Sequence, residues 1–173
     1  MIGIEPELRE YVHAAQQMDR INFCKHFTDP LLISAAADLS ELGEGFQTAK
    51  TNSNLDIDPS QMLAPMPENL SPVVAVQPLL KDRDEVRIGR REENDLVFNH
   101  ASISGDQAVI HHLANSNRYA LEDLNSTNGT RLNGVSIEPM LKVGLREGDS
   151  ITFGSCTFLF YTPAGLYDMI REL

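Results

Sequence analysis

Side chains that donate hydrogen bonds are concentrated in short polar turns between Val86 and Phe160. The densest turn runs from Asn125 to Thr130, and two turns upstream contain Arg90 and Ser104. Hydroxyl, amide and guanidinium groups all donate hydrogen bonds, and arginine also carries a fixed positive charge. Each turn interrupts a short apolar run, which is typical of strands joined by tight loops in an all-β domain. We therefore expect the loops to carry the chemistry of this chain.

No set of residues in the sequence has the spacing of a catalytic or metal site. His111 and His112 are adjacent in a predicted strand, so their rings point to opposite faces and cannot share one metal ion. Cys24 and His26 have a spacing that is common by chance. The run Gly154-Ser155-Cys156 lacks a neighbouring base that would activate a nucleophile. We expect a non-catalytic protein without a metal or cofactor.

The charge of the chain argues against two classes of partner. The 173 residues carry a formal net charge of -11, which disfavours both nucleic acid and an acidic membrane surface. No apolar run approaches the roughly 20 residues that cross a bilayer. Residues 1–10 lack the basic start and apolar stretch of a secretory signal, and Cys24 and Cys156 are far apart. A cytoplasmic location is the simplest expectation.

The apolar spacing changes along the chain and predicts four regions. Residues 1–46 contain three helical patterns, at 4–19, 21–27 and 31–42. Residues 47–72 are rich in Asn, Ser, Asp, Thr and Pro without a sustained period, which indicates a linker. Residues 73–163 show a strand pattern, and residues 164–173 return to helical spacing as a short C-terminal helix.

The region 73–163 divides into short apolar runs at regular intervals. Strands are predicted near Val73–Val76, Val86–Ile88, Leu96–Phe98, Ala108–Leu113, Tyr119–Leu124, Arg131–Leu132, Leu141–Val143, Ser150–Phe153 and Thr157–Tyr161. Many short strands joined by turns favour a β-sandwich over alternating strands and helices.

The order and spacing of the turn motifs resemble those of a forkhead-associated (FHA) domain. The motifs are Gly89-Arg90, Asn94-Asp95, Ser102-Ile103-Ser104, Asp123 to Thr130, Asn133-Gly134 and Gly148 to Gly154. The resemblance covers roughly residues 73–162. It implies an all-β, two-sheet antiparallel sandwich, here preceded by a small α-helical N-terminal segment. It also implies that the loops at one end of the sandwich bind phosphothreonine peptides.

The resemblance assigns binding roles to five residues. A phosphothreonine is nearly a dianion, so its pocket needs a cation and several neutral donors. Arg90 would engage two phosphate oxygens, and Ser104 and Thr127 would donate hydroxyl hydrogen bonds. Gly105 would offer its backbone N–H, and Asn128 would hold the peptide backbone beside the phosphothreonine.

Five further residues are expected to shape these loops: Gly89, Gln107, Gly129, Asn133 and Gly134. The family usually has a polar or basic residue directly after the serine and a structural histidine two residues further on. This chain has Ser104-Gly105-Asp106-Gln107 instead. Gln107 can replace the histidine as both donor and acceptor, whereas Gly105 brings no side chain and Asp106 adds a negative charge.

Two functions remain open from the sequence. In the first, the domain binds a phosphothreonine made by an upstream Ser/Thr kinase, either in another protein or in this chain's own N-terminal segment at Thr28, Thr48 or Thr51. In the second, the pocket is degenerate and the protein is a phosphate-independent docking or scaffold module. An open, unpaired Arg90 favours the first function. An Arg90 that is buried and paired with Glu92, Glu93 or Asp106 favours the second.

Overall fold

The computed structural model describes residues 8–35, 73–79 and 82–172. Its helices are α1 (Leu8–Gln17), α2 (Arg20–His26) and α3 (Pro163–Arg171). Its strands are β1 (Leu31–Ser34), β2 (Val73–Ala75), β3 (Glu85–Gly89), β4 (Leu96–Val97), β5 (Ala108–Leu113), β6 (Arg118–Asp123), β7 (Thr130–Leu132), β8 (Val135–Ser136), β9 (Val143–Leu145), β10 (Ser150–Phe153) and β11 (Cys156–Tyr161). The linker predicted at 47–72 lies outside the described residues.

The strands form two sheets. The first sheet has the order β2-β1-β11-β10-β7-β8, and the second sheet has the order β4-β3-β5-β6-β9. Neighbouring strands are antiparallel, apart from the parallel pair β3 and β4. The predicted two-sheet sandwich with a small helical N-terminal segment is confirmed.

The sandwich core lies between the sheets and is built from alternate strand residues. Leu32 and Phe160 enter it from the first sheet, and Ile88 and Leu121 enter it from the second. Alternation places one side chain in two on each inner face, which is why the strands show a period of two in sequence. Phe98 follows β4 and is buried in the same core, so its burial draws the start of the β4–β5 loop onto the sandwich.

A helical layer covers the outer face of the first sheet. Leu31, Ile33 and Val73 point outward from β1 and β2 and pack in one cluster with residues of all three helices. The helical members of this cluster that are buried are Leu8, Tyr11, Ala15, Phe23, Leu166 and Ile170. Burying a side chain of the size of Leu31 contributes about 1.5–3 kcal/mol, so this second cluster holds the helices on the sheet.

The helix predicted at residues 31–42 is wrong over its described part. Residues 31–34 form β1, which pairs with both β2 and β11, and the remainder of that prediction from residue 36 lies outside the described residues. All four residues of β1 are buried, because one face contacts the sandwich core and the other contacts the helices. A strand buried on both faces has a continuous apolar sequence and loses the alternation that identifies a strand.

The strand predicted at Leu141–Val143 is shifted in the structure to Val143–Leu145. Met140 adopts a positive φ of 64°, and its N–H donates to the Asp123 carbonyl at 2.8 Å. Residues 140 and 141 therefore complete a turn, and pairing with β6 starts only at Val143.

A bidentate ion pair joins α2 to α3. Arg20 Nε and Nη2 donate to the two carboxylate oxygens of Asp168 at 2.7 and 2.8 Å. These hydrogen bonds, with the arginine charge, hold the pKa of Asp168 below its ordinary value and raise the pKa of Arg20. Among the described residues, no helix is long and apolar enough to cross a membrane.

The loops at one end of the sandwich are joined by the buried side chain of Gln107. Gln107 is 0% exposed although it lies in the loop that precedes β5. Its Oε1 accepts the Ser104 N–H at 2.9 Å, and its Nε2 lies 2.8 Å from Ser126 Oγ. The same nitrogen lies 3.0 Å from both the Gly129 carbonyl and Thr130 Oγ1. One amide therefore connects the β4–β5 loop to the β6–β7 loop.

Asp123 orients this network from below. Its Oδ1 accepts the hydroxyl protons of Ser126 and Thr130, each at 2.6 Å, and its Oδ2 accepts the Ser126 N–H at 3.0 Å. Because both hydroxyl groups donate to the carboxylate, their lone pairs face the amide nitrogen of Gln107. The hydrogen bonds thus run in one direction, from Gln107 through the hydroxyl groups to Asp123.

We predict that Gln107→Ala lowers the free energy of unfolding by about 2–4 kcal/mol, because it leaves a cavity and a partly buried Ser104 N–H without its acceptor. Urea denaturation would measure the change. The matched control is Gln16→Ala on the exposed face of α1, which should change stability by less than about 0.5 kcal/mol. Equal effects of the two substitutions would contradict the role given to Gln107.

We predict that Asp168→Asn lowers the melting temperature slightly at pH 7 and that the difference disappears in acid. The folded-state pKa of Asp168 lies below the ordinary value of 3.8, so its contribution is present above pH 3.8 and is lost as the pH falls through the folded-state pKa. Thermal melts across this pH range would test it. Glu172→Gln, which also removes a charge at the end of α3, is the control. A difference that persists unchanged into acid would refute the prediction.

Candidate functional site

Arg90 begins the loop that follows β3. Its backbone N–H donates to the Ser104 carbonyl at 2.9 Å, which places it beside the β4–β5 loop. Its side chain is exposed, and no hydrogen bond or ion pair joins its guanidinium to any residue in the described parts of the chain. Asp106, one of the three acids that might have neutralised Arg90, pairs instead with Arg91 at 2.5 Å.

The two loops that carry Arg90 and Ser104 approach each other closely. A Cβ atom at Gly89 would lie 2.1 Å from the Gly105 carbonyl oxygen, so only glycine fits there. Asn94 is 3% exposed, and its Nδ2 donates to the same Gly105 oxygen at 2.7 Å. The glycine permits the approach, and the buried amide holds it.

Ser104 and Thr127 connect the β4–β5 and β6–β7 loops. The Thr127 N–H donates to Ser104 Oγ at 2.9 Å. Ser104 Oγ therefore uses one lone pair inside the protein, while its own proton has no acceptor among the described residues. The Thr127 hydroxyl is likewise unpaired within the described ranges, and Thr127 is exposed.

Asn128 follows Thr127 and is held by its amide nitrogen. Nδ2 donates to the Ser102 carbonyl at 2.8 Å, which leaves Oδ1 without a donor in the described part of the protein. Ser102 is in turn fixed by the β10–β11 turn, where Ser155 N–H donates to its Oγ at 2.9 Å. The next residue, Gly129, has a φ of 77°, which favours glycine at the end of this loop.

The structure brings together Gly89, Arg90, Ser104, Gly105, Gln107, Thr127, Asn128 and Gly129 at one end of the sandwich. It places Asn133 and Gly134 elsewhere. They form the β7–β8 turn with φ values of 52° and 81°, and Asn133 contacts Asp149 and Ser150 at the far end of β7. These two residues shape a hairpin and lie away from the loops around Arg90.

Sequence reasoning gave no role to several residues that build the site. Arg91 lies against Gly105, Asn94 clamps the loop, and Asp123 and Ser126 complete the Gln107 network. Arg91, Asn94 and Ser126 lie in polar turns and Asp123 is the last residue of β6, so their contacts cannot be read from the spacing of apolar residues. The adjacent arginines at positions 90 and 91 were the available signal for Arg91.

The donors at this end of the sandwich suit an anion. Exposed Arg90 and the hydroxyl groups of Ser104 and Thr127 are all short of acceptors within the described residues. In the same part of the chain, no group of three or more His, Cys, Asp or Glu residues could hold a metal ion. Burial raises the pKa of the nearby Cys156 thiol, which disfavours the reactive thiolate.

Comparison with known proteins finds a family model and several proteins that are similar to part of this chain. Residues 86–154 match the family model of the FHA domain. The FHA domain-containing protein PS1 of Arabidopsis thaliana is 32% identical over 73 residues, which are 42% of this chain and 5% of that protein. The transcriptional regulatory protein EmbR of Mycobacterium tuberculosis is 35% identical over 81 residues, which are 47% of this chain and 20% of EmbR.

Among solved structures, the chain is similar to the N-terminal FHA domain of Rad53 from S. cerevisiae in complex with a phosphothreonine peptide. The identity is 26%, the match covers 51% of this chain and 73% of that one, and the TM-score is 0.43. The chain spans no more than one fifth of the length of PS1 or EmbR. Residues 86–154 of this chain therefore resemble an FHA domain.

Proposed function

We propose that this protein is a non-catalytic interaction module that binds phosphothreonine peptides in a signalling or regulatory protein. The observation that carries the proposal is the exposed guanidinium of Arg90, which has no countercharge among the described residues, while the Arg90 backbone is hydrogen-bonded to Ser104. An arginine held at a protein surface without a partner is ready to bind an external anion, and its planar fork suits two phosphate oxygens.

The groups around Arg90 supply the remaining donors that a phosphate needs. The hydroxyl groups of Ser104 and Thr127 and the backbone N–H of Gly105 have no acceptors in the described part of the chain. A phosphothreonine carries about -1.5 to -2 charge at pH 7 and three strong acceptor oxygens. One cation and three neutral donors match in number and kind what these oxygens require.

Asn128 is the candidate for holding the peptide itself. Its amide nitrogen is occupied by the Ser102 carbonyl, so Oδ1 faces away from that bond with a fixed orientation. A carbonyl oxygen accepts a backbone N–H. The bond between Asn128 and Ser102 therefore prepares Asn128 to accept from the peptide backbone next to the phosphorylated residue.

The positions of the strands show whether a threonine of this chain's N-terminal segment can reach the loops around Arg90. Thr28 precedes β1, which begins opposite Tyr161, whereas the loops around Arg90 lie by the other end of β11. The six residues of β11 span about 20 Å, so Thr28 is too distant to occupy the pocket of its own chain. Thr48 and Thr51 lie outside the described residues. The ligand is then a phosphothreonine made by a Ser/Thr kinase either in another protein or at Thr48 or Thr51 of this chain.

We predict that Arg90→Ala weakens binding of a degenerate phosphothreonine peptide pool by about ten- to a hundredfold, the loss expected for one charge-assisted contact. Fluorescence anisotropy with the full chain would measure it. Arg146→Ala is the matched control, because Arg146 is also exposed but lies after β9, at the opposite end of the sandwich. It should leave the affinity unchanged.

The same pool with unmodified threonine separates the two functions. Binding that requires both the phosphate and Arg90 supports a phosphopeptide module. Equal affinity for the two pools, or no affinity for either, would overturn the proposal. It would favour a phosphate-independent docking protein whose loops have kept their shape without their ligand.

A further inference from the structure

The side chain of Arg91 occupies the space that a side chain at position 105 would take. A Cβ atom built on Gly105 would lie 2.8 Å from Arg91 Nε, 3.1 Å from its Cγ and 3.2 Å from its Cδ. From there the arginine extends to Asp106, where Nη1 and Oδ2 are 2.5 Å apart. The missing side chain at position 105 is thus replaced in space by a cation from the neighbouring loop.

The backbone of Arg91 is held by hydrogen bonds, whereas its charged end is exposed to solvent. Arg91 N–H donates to the Gly105 carbonyl at 3.1 Å. Asn94 Nδ2 donates to the Gly105 carbonyl at 2.7 Å and to the Arg91 carbonyl at 3.1 Å. The side chains of Arg91 and Asp106 are 65% and 47% exposed. An exposed ion pair is worth little, so its partners exchange at low cost.

We propose that Arg91 is a second cation of the phosphate site, held by Asp106 while the site is empty and transferred to the phosphate on binding. This inference rests on the proposed function. Arg91 lies against Gly105, directly next to Ser104, and its long side chain turns from Asp106 toward Ser104 without a change in the backbone. The near-dianionic phosphate outcompetes a single carboxylate for the guanidinium. Asp106 then returns to solvent, to which it is already half exposed.

Exchange and a purely structural role predict different directions for the change in peptide affinity when Arg91 or Asp106 is substituted. If the pair between Arg91 and Asp106 only braced the loop, loss of either partner would weaken binding. If Asp106 competes with the ligand, Asp106→Asn releases Arg91 and removes a repulsive charge, so binding tightens. Loss of Arg91 removes a ligand contact, so binding weakens. Opposite signs for the two partners exclude the bracing role, and loss of the tightening when Arg91 is also removed distinguishes exchange from simple charge repulsion.

The test is a double-mutant cycle on the full chain, with the phosphothreonine peptide pool and fluorescence anisotropy. Arg91→Ala should weaken binding by about tenfold or more, and Asp106→Asn should tighten it by about three- to tenfold. In the double variant the tightening should largely disappear, because Asp106 then has no arginine to withhold. Arg91→Lys should recover part of the affinity. Asp82→Asn, an exposed aspartate in the loop before β3, controls for net charge and should leave the affinity unchanged.

The outcomes separate this inference from the proposed function. If wild type binds the pool through Arg90, but Asp106→Asn weakens binding or leaves it unchanged, the exchange is wrong and the proposed function stands. The same holds if Arg91→Ala has no effect. If neither wild type nor Asp106→Asn binds the pool, both are overturned. Thermal melts of each variant show whether a loss of binding reflects a loss of fold.

Discussion

The buried amide of Gln107 is the constraint on which the site depends. It accepts the Ser104 N–H and reaches the β6–β7 loop through Ser126, Gly129 and Thr130. Ser104 and Thr127 meet because this amide fixes the loops on which they lie. A buried network is rigid only when every member is satisfied, and here the Asp123 carboxylate closes it. The donors that face solvent are therefore positioned by groups that never contact a ligand.

The strands of the sandwich were largely predictable, because each has one face in the core and one face that is more exposed. Ala108–Leu113 and Ser150–Phe153 appear with the bounds that the sequence predicted. The failure at residues 31–34 has a physical cause, since helices cover the outer face that solvent covers elsewhere. The alternation on which strand prediction depends was absent, and an Ala- and Leu-rich run gave a helical pattern instead.

The sequence predicted which residues form the site, but it did not predict which side chains they contact. Turn motifs supplied Arg90, Ser104 and Thr127, since residue type and order carry that information. The pairing of Asp106 with Arg91, rather than with Arg90, is a matter of side-chain direction across two loops. Sequence contains no measure of that direction. Nor could the sequence predict that the Arg90 guanidinium has no partner among the described residues.

Local charge, rather than total charge, decides what this site can bind. The chain carries -11 overall, so its long-range field opposes the approach of an anionic peptide. At physiological ionic strength charges are screened over about 8 Å, which removes most of the distant acids from the balance. The loops after β3 and β4 carry Arg90 and Arg91 against the exposed acids Glu92, Glu93 and Asp106. Because Asp106 is already engaged by Arg91, the phosphate of the proposed ligand would meet a site whose charge depends on one exposed ion pair. Acidic residues that flank the phosphothreonine of the proposed ligand would add to the opposing field, so we expect neutral or basic flanking residues to be preferred.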